Sequence, residues 1–154
     1  LCDGGKDNVV VLDWGKHSHD PDYKNVVFKN AQKVGGQFAK SIKTLKEAGL
    51  NLNRVRILGF SVGSHIASFA GRCNNFKIPH ITVLDPASPA HTECKGCYIS
   101  SKCARRVEMI HTDMTKYGAN FNQLTASVHY VANNGKRDQC DCPASEGSKQ
   151  LSPE

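Results

Sequence analysis

A chain of 154 residues with 39% hydrophobic and 22% charged side chains has the length and composition of one globular domain around one core. Its formal charge of +6 comes from scattered Lys and Arg with no run of five, which reads as a solvated basic surface rather than a nucleic-acid-binding tail, and is compatible with approach to anionic lipid. No apolar run nears the ~20 residues that span a bilayer, so a transmembrane segment is excluded.

The first residues, Leu1-Cys2-Asp3-Gly4-Gly5-Lys6, have neither the charged start nor the apolar stretch of a signal peptide, and any export signal lies upstream or has been removed. Residues 8–13 read Asn-Val-Val-Val-Leu-Asp, a short β-branched run that predicts a strand buried on both faces. Val27, Ala31, Val34, Phe38, Ile42 and Leu45 recur at spacings of three and four, predicting an amphipathic helix over 26–48 that stops at Gly49. A second strand is expected over 54–60, a helix rich in small residues over 61–71, and a third strand over 80–84 before Asp85-Pro86. This alternation predicts a doubly wound, mostly parallel α/β sheet with functional groups at the C-terminal ends of its strands.

Beyond Asp85 the pattern changes to a cysteine-rich loop reaching Cys103, a short strand over 107–110 and a strand-like segment over 126–131. From Asn133 onward the composition predicts loop or disorder, so we divide the chain into a core over 1–140 and a tail, or the start of a lid, over 141–154. Seven cysteines, among them Cys94, Cys97, Cys103, Cys140 and Cys142, suggest disulfides and an oxidising, extracellular location. An odd count leaves at least one without a partner in the chain. The rival arrangement, a zinc site built from Cys94, Cys97, Cys140 and Cys142, has spacings that fit no common finger.

Gly59-Phe60-Ser61-Val62-Gly63 stands between the expected strand and helix. A Gly-x-Ser-x-Gly turn in that setting lifts the serine hydroxyl clear of the backbone, the flanking glycines removing Cβ atoms that would collide. Ser61 is therefore the candidate nucleophile, and the Val62 N–H, at the start of the helix, is the candidate half of an oxyanion hole. A serine nucleophile needs a histidine base and a carboxylate that orients it. Asp85, at the end of the next strand, is the candidate carboxylate, with capping of the following turn as its ordinary alternative.

These residues resemble the pancreatic-lipase family, and within it the insect venom phospholipases of the A1 type. Asn8-Val9-Val10-Val11-Leu12-Asp13-Trp14 is similar to the family's Asn-Val-Ile-Val-Val-Asp-Trp, and Val34-Gly35 sits where the family has a helical Val-Gly. The segment from Arg56 through His65 resembles its Leu-Ile-Gly-His-Ser-Leu-Gly-Ala-His, and Phe69-Ala70-Gly71 follows in order. Leu84-Asp85-Pro86-Ala87-Ser88-Pro89 matches the Leu-Asp-Pro-Ala-x-Pro that holds the family's catalytic aspartate. Ile110-His111-Thr112 and Asn133-Asn134-Gly135 are two further landmarks.

The resemblance covers roughly residues 8 to 140 and implies an α/β-hydrolase fold, incomplete at both ends. It also implies a secreted hydrolase of lipid carboxylic esters, of phospholipase A1 or triacylglycerol lipase type, needing no metal or organic cofactor and meeting its substrate at a lipid–water interface. The family's His-Gly-Phe oxyanion loop and its Cys-x-His catalytic histidine fall outside the matching motifs. An inactive lipase-like remnant that binds lipid or protein is therefore the alternative, and exposed sheet edges would then invite association. His111 has the right chain order for a base, but its landmark is not the family's base. We expect it to be structural, along with His65 and His129, and expect His17 and His19 to flank a loop.

Overall fold

The computed structural model describes residues 8–88, 98–115 and 117–139. In chain order these form α1 (Gly15–Ser18), α2 (Phe28–Glu47), β1 (Arg56–Phe60), α3 (Gly63–Arg72), β2 (Ile78–Leu84), β3 (Ala104–His111) and β4 (Val128–Val131), with short helical turns at Tyr23–Val27, Leu52–Arg54 and Ala132–Gly135. The four strands make one sheet in the order β1-β2-β3-β4, every pair parallel. The chain thus has the expected parallel α/β architecture of a partial α/β-hydrolase fold.

Local chemistry sets the ends of the long helix. The Asp22 carboxylate accepts from the Asn25 N–H (3.0 Å) and from Asn25 Nδ2 (3.1 Å), so helical turns begin at Tyr23, ahead of the expected start. At the other end Gly49 takes φ 102°, and the Leu50 and Gly49 N–H groups close back onto the Leu45 and Lys46 carbonyls. This double bond pattern needs a left-handed residue, and Gly49 takes that conformation without the Cβ penalty. The predicted apolar stripe faces the core from Val27 to Ile42, but Leu45 is half exposed, one turn beyond the last buried position.

Strand alternation divides the sheet into two faces. Ile57, Ile81, Val83, Val107 and Met109 are buried against Ile42 of α2 and Ala67 and Ala70 of α3, each large aliphatic side chain contributing about 1.5–3 kcal/mol. The two helices cross closely because Gly35 lies against Phe69: a Cβ on Gly35 would come 2.5 Å from that ring. A second cluster, Phe28, Ala31, Val62, Ile66 and Ala87, packs beneath the elbow. On the other face Leu58 and Phe60 are 65% and 68% exposed. Among the described residues, helices lie on one side of the sheet only.

One expected element does not form. Residues 8–13 take no strand conformation, and Val10 and Val11 are 89% and 83% exposed. A β-branched run is stable as a buried strand only with a hydrogen-bonded ladder and layers on both faces. Among the described residues no strand lines the outer edge of β1, so the run has neither. Residues 133–139 are also more ordered than their composition suggests: Asn133 and Asn134 take left-handed φ in the Ala132–Gly135 turn, and Gln139 Nε2 donates to the Thr112 carbonyl at 2.9 Å.

Cys73 is an exposed free thiol and Cys103 a buried one. Cys2, Cys94, Cys97, Cys140 and Cys142 lie outside the described residues, as do the proposed zinc ligands and the tail over 141–154. No described helix is long and apolar enough to cross a membrane.

Candidate active site

Ser61 is the first residue after β1, and its φ of 50° is left-handed. A non-glycine residue held there costs of order 1–3 kcal/mol, a strain found where a side chain must be aimed. Hydrogen bonds hold the turn in place. The Ser61 N–H donates to the Leu84 carbonyl at 3.0 Å, tying the elbow to the end of β2, and the Ser61 carbonyl accepts from the Ser64 and Ala87 N–H groups at 3.1 and 3.3 Å.

The two glycines of the motif are not equivalent. A Cβ on Gly59 would meet the Gly63 carbonyl oxygen and the Ser64 Cα at 2.8 Å, so β1 and α3 can approach only if Gly59 has no side chain. A Cβ on Gly63 would meet nothing within 4 Å. The expectation that both glycines relieve a collision therefore holds for Gly59 and is corrected for Gly63. We predict that Gly59→Ala lowers stability by about 1–3 kcal/mol, as backbone overpacking does. Gly63→Ala should leave the chemical-denaturation midpoint near wild type; equal midpoints for the two variants would refute the distinction.

Val62 has its side chain buried in the cluster beneath the elbow and its backbone at the start of α3. Its N–H takes no acceptor among the described residues. A free N–H at the positive end of a ten-residue helix, beside a serine hydroxyl, is suited to stabilising an alkoxide oxygen. Trp14, Tyr23, Val27 and Phe60 line an adjoining open cleft with Ser61 and Val62, of about 250 Å³.

Asp85 follows the last residue of β2 and is also left-handed, with φ 44°. Its N–H donates to the Ile110 carbonyl at 2.7 Å, and its Oδ1 accepts the N–H groups of Thr112 (2.9 Å) and Asp113 (3.0 Å). These donors lie just beyond the end of β3, two strands from β1, and none belongs to the turn that follows Asp85. Its Oδ2 takes no hydrogen bond among the described residues, leaving an acceptor for an imidazole. The role of Thr112 and Asp113 was not legible in the sequence, because a backbone N–H carries no residue signature.

None of the candidate histidines turns to the serine. His65 is buried in α3; its Nε2 contacts the Ala87 carbonyl at 3.0 Å, while its Nδ1 accepts the Ile99 N–H at 3.3 Å, which makes the ring neutral with its proton on Nε2. Burial pushes its pKa down to about 4, with the Ala87 bond opposing and the Arg72 charge adding to the depression. His111 is buried between the Ala119 carbonyl, at 3.1 Å from Nδ1, and His129 Nδ1, at 2.8 Å from Nε2. Burial, then the neighbouring His129, lowers the His111 pKa, and burial lowers that of His129. Both rings are engaged in the packing of β3 and β4 with Phe121. His17 and His19 are at the exposed end of α1.

Comparison with known proteins adds an independent line. A family model described as Lipase matches residues 2–153. Over 140 residues the chain is 37% identical to lipase member H of Danio rerio, an alignment covering 88% of this chain and 29% of that protein. Over 139 residues it is 31% identical to phospholipase A1 member A of Bos taurus, covering 90% and 29%. The chain therefore spans under a third of the length of these relatives.

Proposed function

The chain belongs to the lipase family, and on that premise we propose that it contributes the nucleophile and the acid of a secreted lipid carboxylic-ester hydrolase. The observation that carries the reading is the strained Ser61 between β1 and α3, with the unaccepted Val62 N–H beside it and Asp85 at the end of the neighbouring strand. Ser61 Oγ attacks the ester carbonyl while a histidine from outside the described residues takes its proton. The carbonyl oxygen becomes an oxyanion that accepts from the Val62 N–H. Collapse expels the alcohol, protonated by the histidine, and water then releases the fatty acid from the acyl-serine. Asp85 Oδ2 holds the histidine in the tautomer that accepts the proton.

This sequence of steps calls on no metal or organic cofactor. Substrate is a phospholipid or acylglycerol at a lipid–water interface. The names of the relatives support both classes, and we favour ester cleavage of the phospholipase A1 type on the motif likeness to the venom enzymes. We take residues 1–140 as the catalytic core, with 141–154 leading out of it.

A fluorophosphonate probe tests the assignment. Labelling of the protein should disappear in Ser61→Ala and slow on the order of 10³-fold or more in Asp85→Asn, which leaves the histidine wrongly oriented. Undiminished labelling of Ser61→Ala would remove Ser61 from the mechanism. The engagement of His65, His111 and His129 elsewhere favours one second reading, a lipid-binding homologue without turnover. Its signature would be retention on phospholipid vesicles with no labelling at all.

A further inference from the structure

The end of the sheet opposite the elbow collects positive charge by strand register. Arg56, His80 and Arg106 are Cα partners across β1, β2 and β3 and form one row at the starts of the strands. With strands ~4.8 Å apart, the row spans about 10 Å. Arg54 precedes it in the turn before β1. Arg105 joins the same end by donating to Asn53 Oδ1 at 3.4 Å, and Lys77 does so by donating to the Lys102 carbonyl. An open cleft of about 410 Å³ lies among Asn53, Arg54, Arg56, Pro79, His80 and Arg106.

Among the described residues one carboxylate serves this cluster. Glu108 accepts from Arg106 Nε at 2.7 Å and pairs with His80 Nε2 at 2.8 Å, which holds those two side chains in place. Arg54 and Arg56 pair with no carboxylate among the described residues. Three guanidinium groups against a single carboxylate among the described residues make the cleft electropositive. Planar guanidinium forks match the oxygens of a phosphoryl group, and Val55 and Pro79 supply an apolar wall for a short carbon skeleton.

We propose that this cleft is a binding site for a compact organic phosphate, separate from the elbow. Ser61 lies five residue steps beyond Arg56, the first residue of β1, and at ~3.3 Å per step the two sites are about 16 Å apart along the strand. A phosphoryl group in the cleft is thus out of reach of the serine and is not the substrate's own. The site stands on register and charge, and does not depend on the ester-hydrolase reading.

Titration of sn-glycerol 3-phosphate into ¹⁵N-labelled protein at low salt should shift the amides of residues 53–56 and of Arg106 saturably, while glycerol should not. Arg54→Gln with Arg56→Gln should weaken binding at least tenfold without moving the unfolding midpoint, since both side chains are exposed. A second arm separates the soluble anion from a lipid headgroup: phosphatidylcholine vesicles with and without phosphatidic acid should retain wild type and the double variant alike. The proposal is overturned if glycerol 3-phosphate gives no saturable shift or the double variant binds it as tightly as wild type. Vesicle retention that depends on the two arginines would equally overturn the soluble-phosphate assignment.

Discussion

Gly71→Ala is expected to be among the most damaging small substitutions at the described residues, costing about 3 kcal/mol or more, at or beyond the upper end of ordinary overpacking. Gly71 lies in the last turn of α3, where a Cβ would come 1.5 Å from the Cys103 carbonyl oxygen and 2.7 Å from its carbon. Neither atom belongs to a side chain that could rotate away, and Cys103 leads directly into β3. Relief requires α3 to move off the sheet, and that helix carries Val62 at its other end. For a domain whose total stability is of order 5–15 kcal/mol, such a loss lowers the urea midpoint severely. Gly36→Ala supplies the contrast: a Cβ there meets nothing within 4 Å, and the change should add about 0.5–1 kcal/mol by helix propensity. Similar midpoints for the two variants would contradict the packing described.

Acid should destabilise the protein through His65. Its folded pKa, near 4, lies below the ordinary value of 6.5, so folding favours the neutral ring. The unfolded chain binds the proton first as pH falls; stability is intact above about 6.5 and declines down to about 4. At 1.36 kcal/mol per unit, the loss over that window is about 3 kcal/mol. His111 and His129 are shifted in the same direction and steepen the decline. The consequence reaches the candidate site, because His65 bridges the Ala87 carbonyl, two residues past Asp85, and the Ile99 N–H. Thermal midpoints at pH 7 and pH 4.5 test this. His65→Gln should lower stability at pH 7 and show a much shallower acid slope, and identical slopes in the two proteins would remove His65 as the source.

Much of the frame was legible in the residues. The 3.6-residue stripe from Val27 to Ile42 located α2, and the short apolar runs located β1 and β2, because periodicity and chain stiffness are local properties. The motif around Ser61 was legible for the same reason: strand, glycine, serine and helix are consecutive. The run at 8–13 misled because β-branched residues report a fitness for strands that only a neighbouring strand can realise.

What the sequence by itself determined is the order of elements, the elbow with its serine and the acidic residue that closes β2. Only the tertiary structure decided that Gly71 must lack a side chain, that Thr112 and Asp113 hold the Asp85 carboxylate, and that His65 and His111 are committed to carbonyls and neighbours. It also gathered Arg54, Arg56 and Arg106 around one cleft. Each of these depends on how closely segments distant in the chain approach. Ladder register and helix crossing set that approach, and neither is a property of any short stretch of residues.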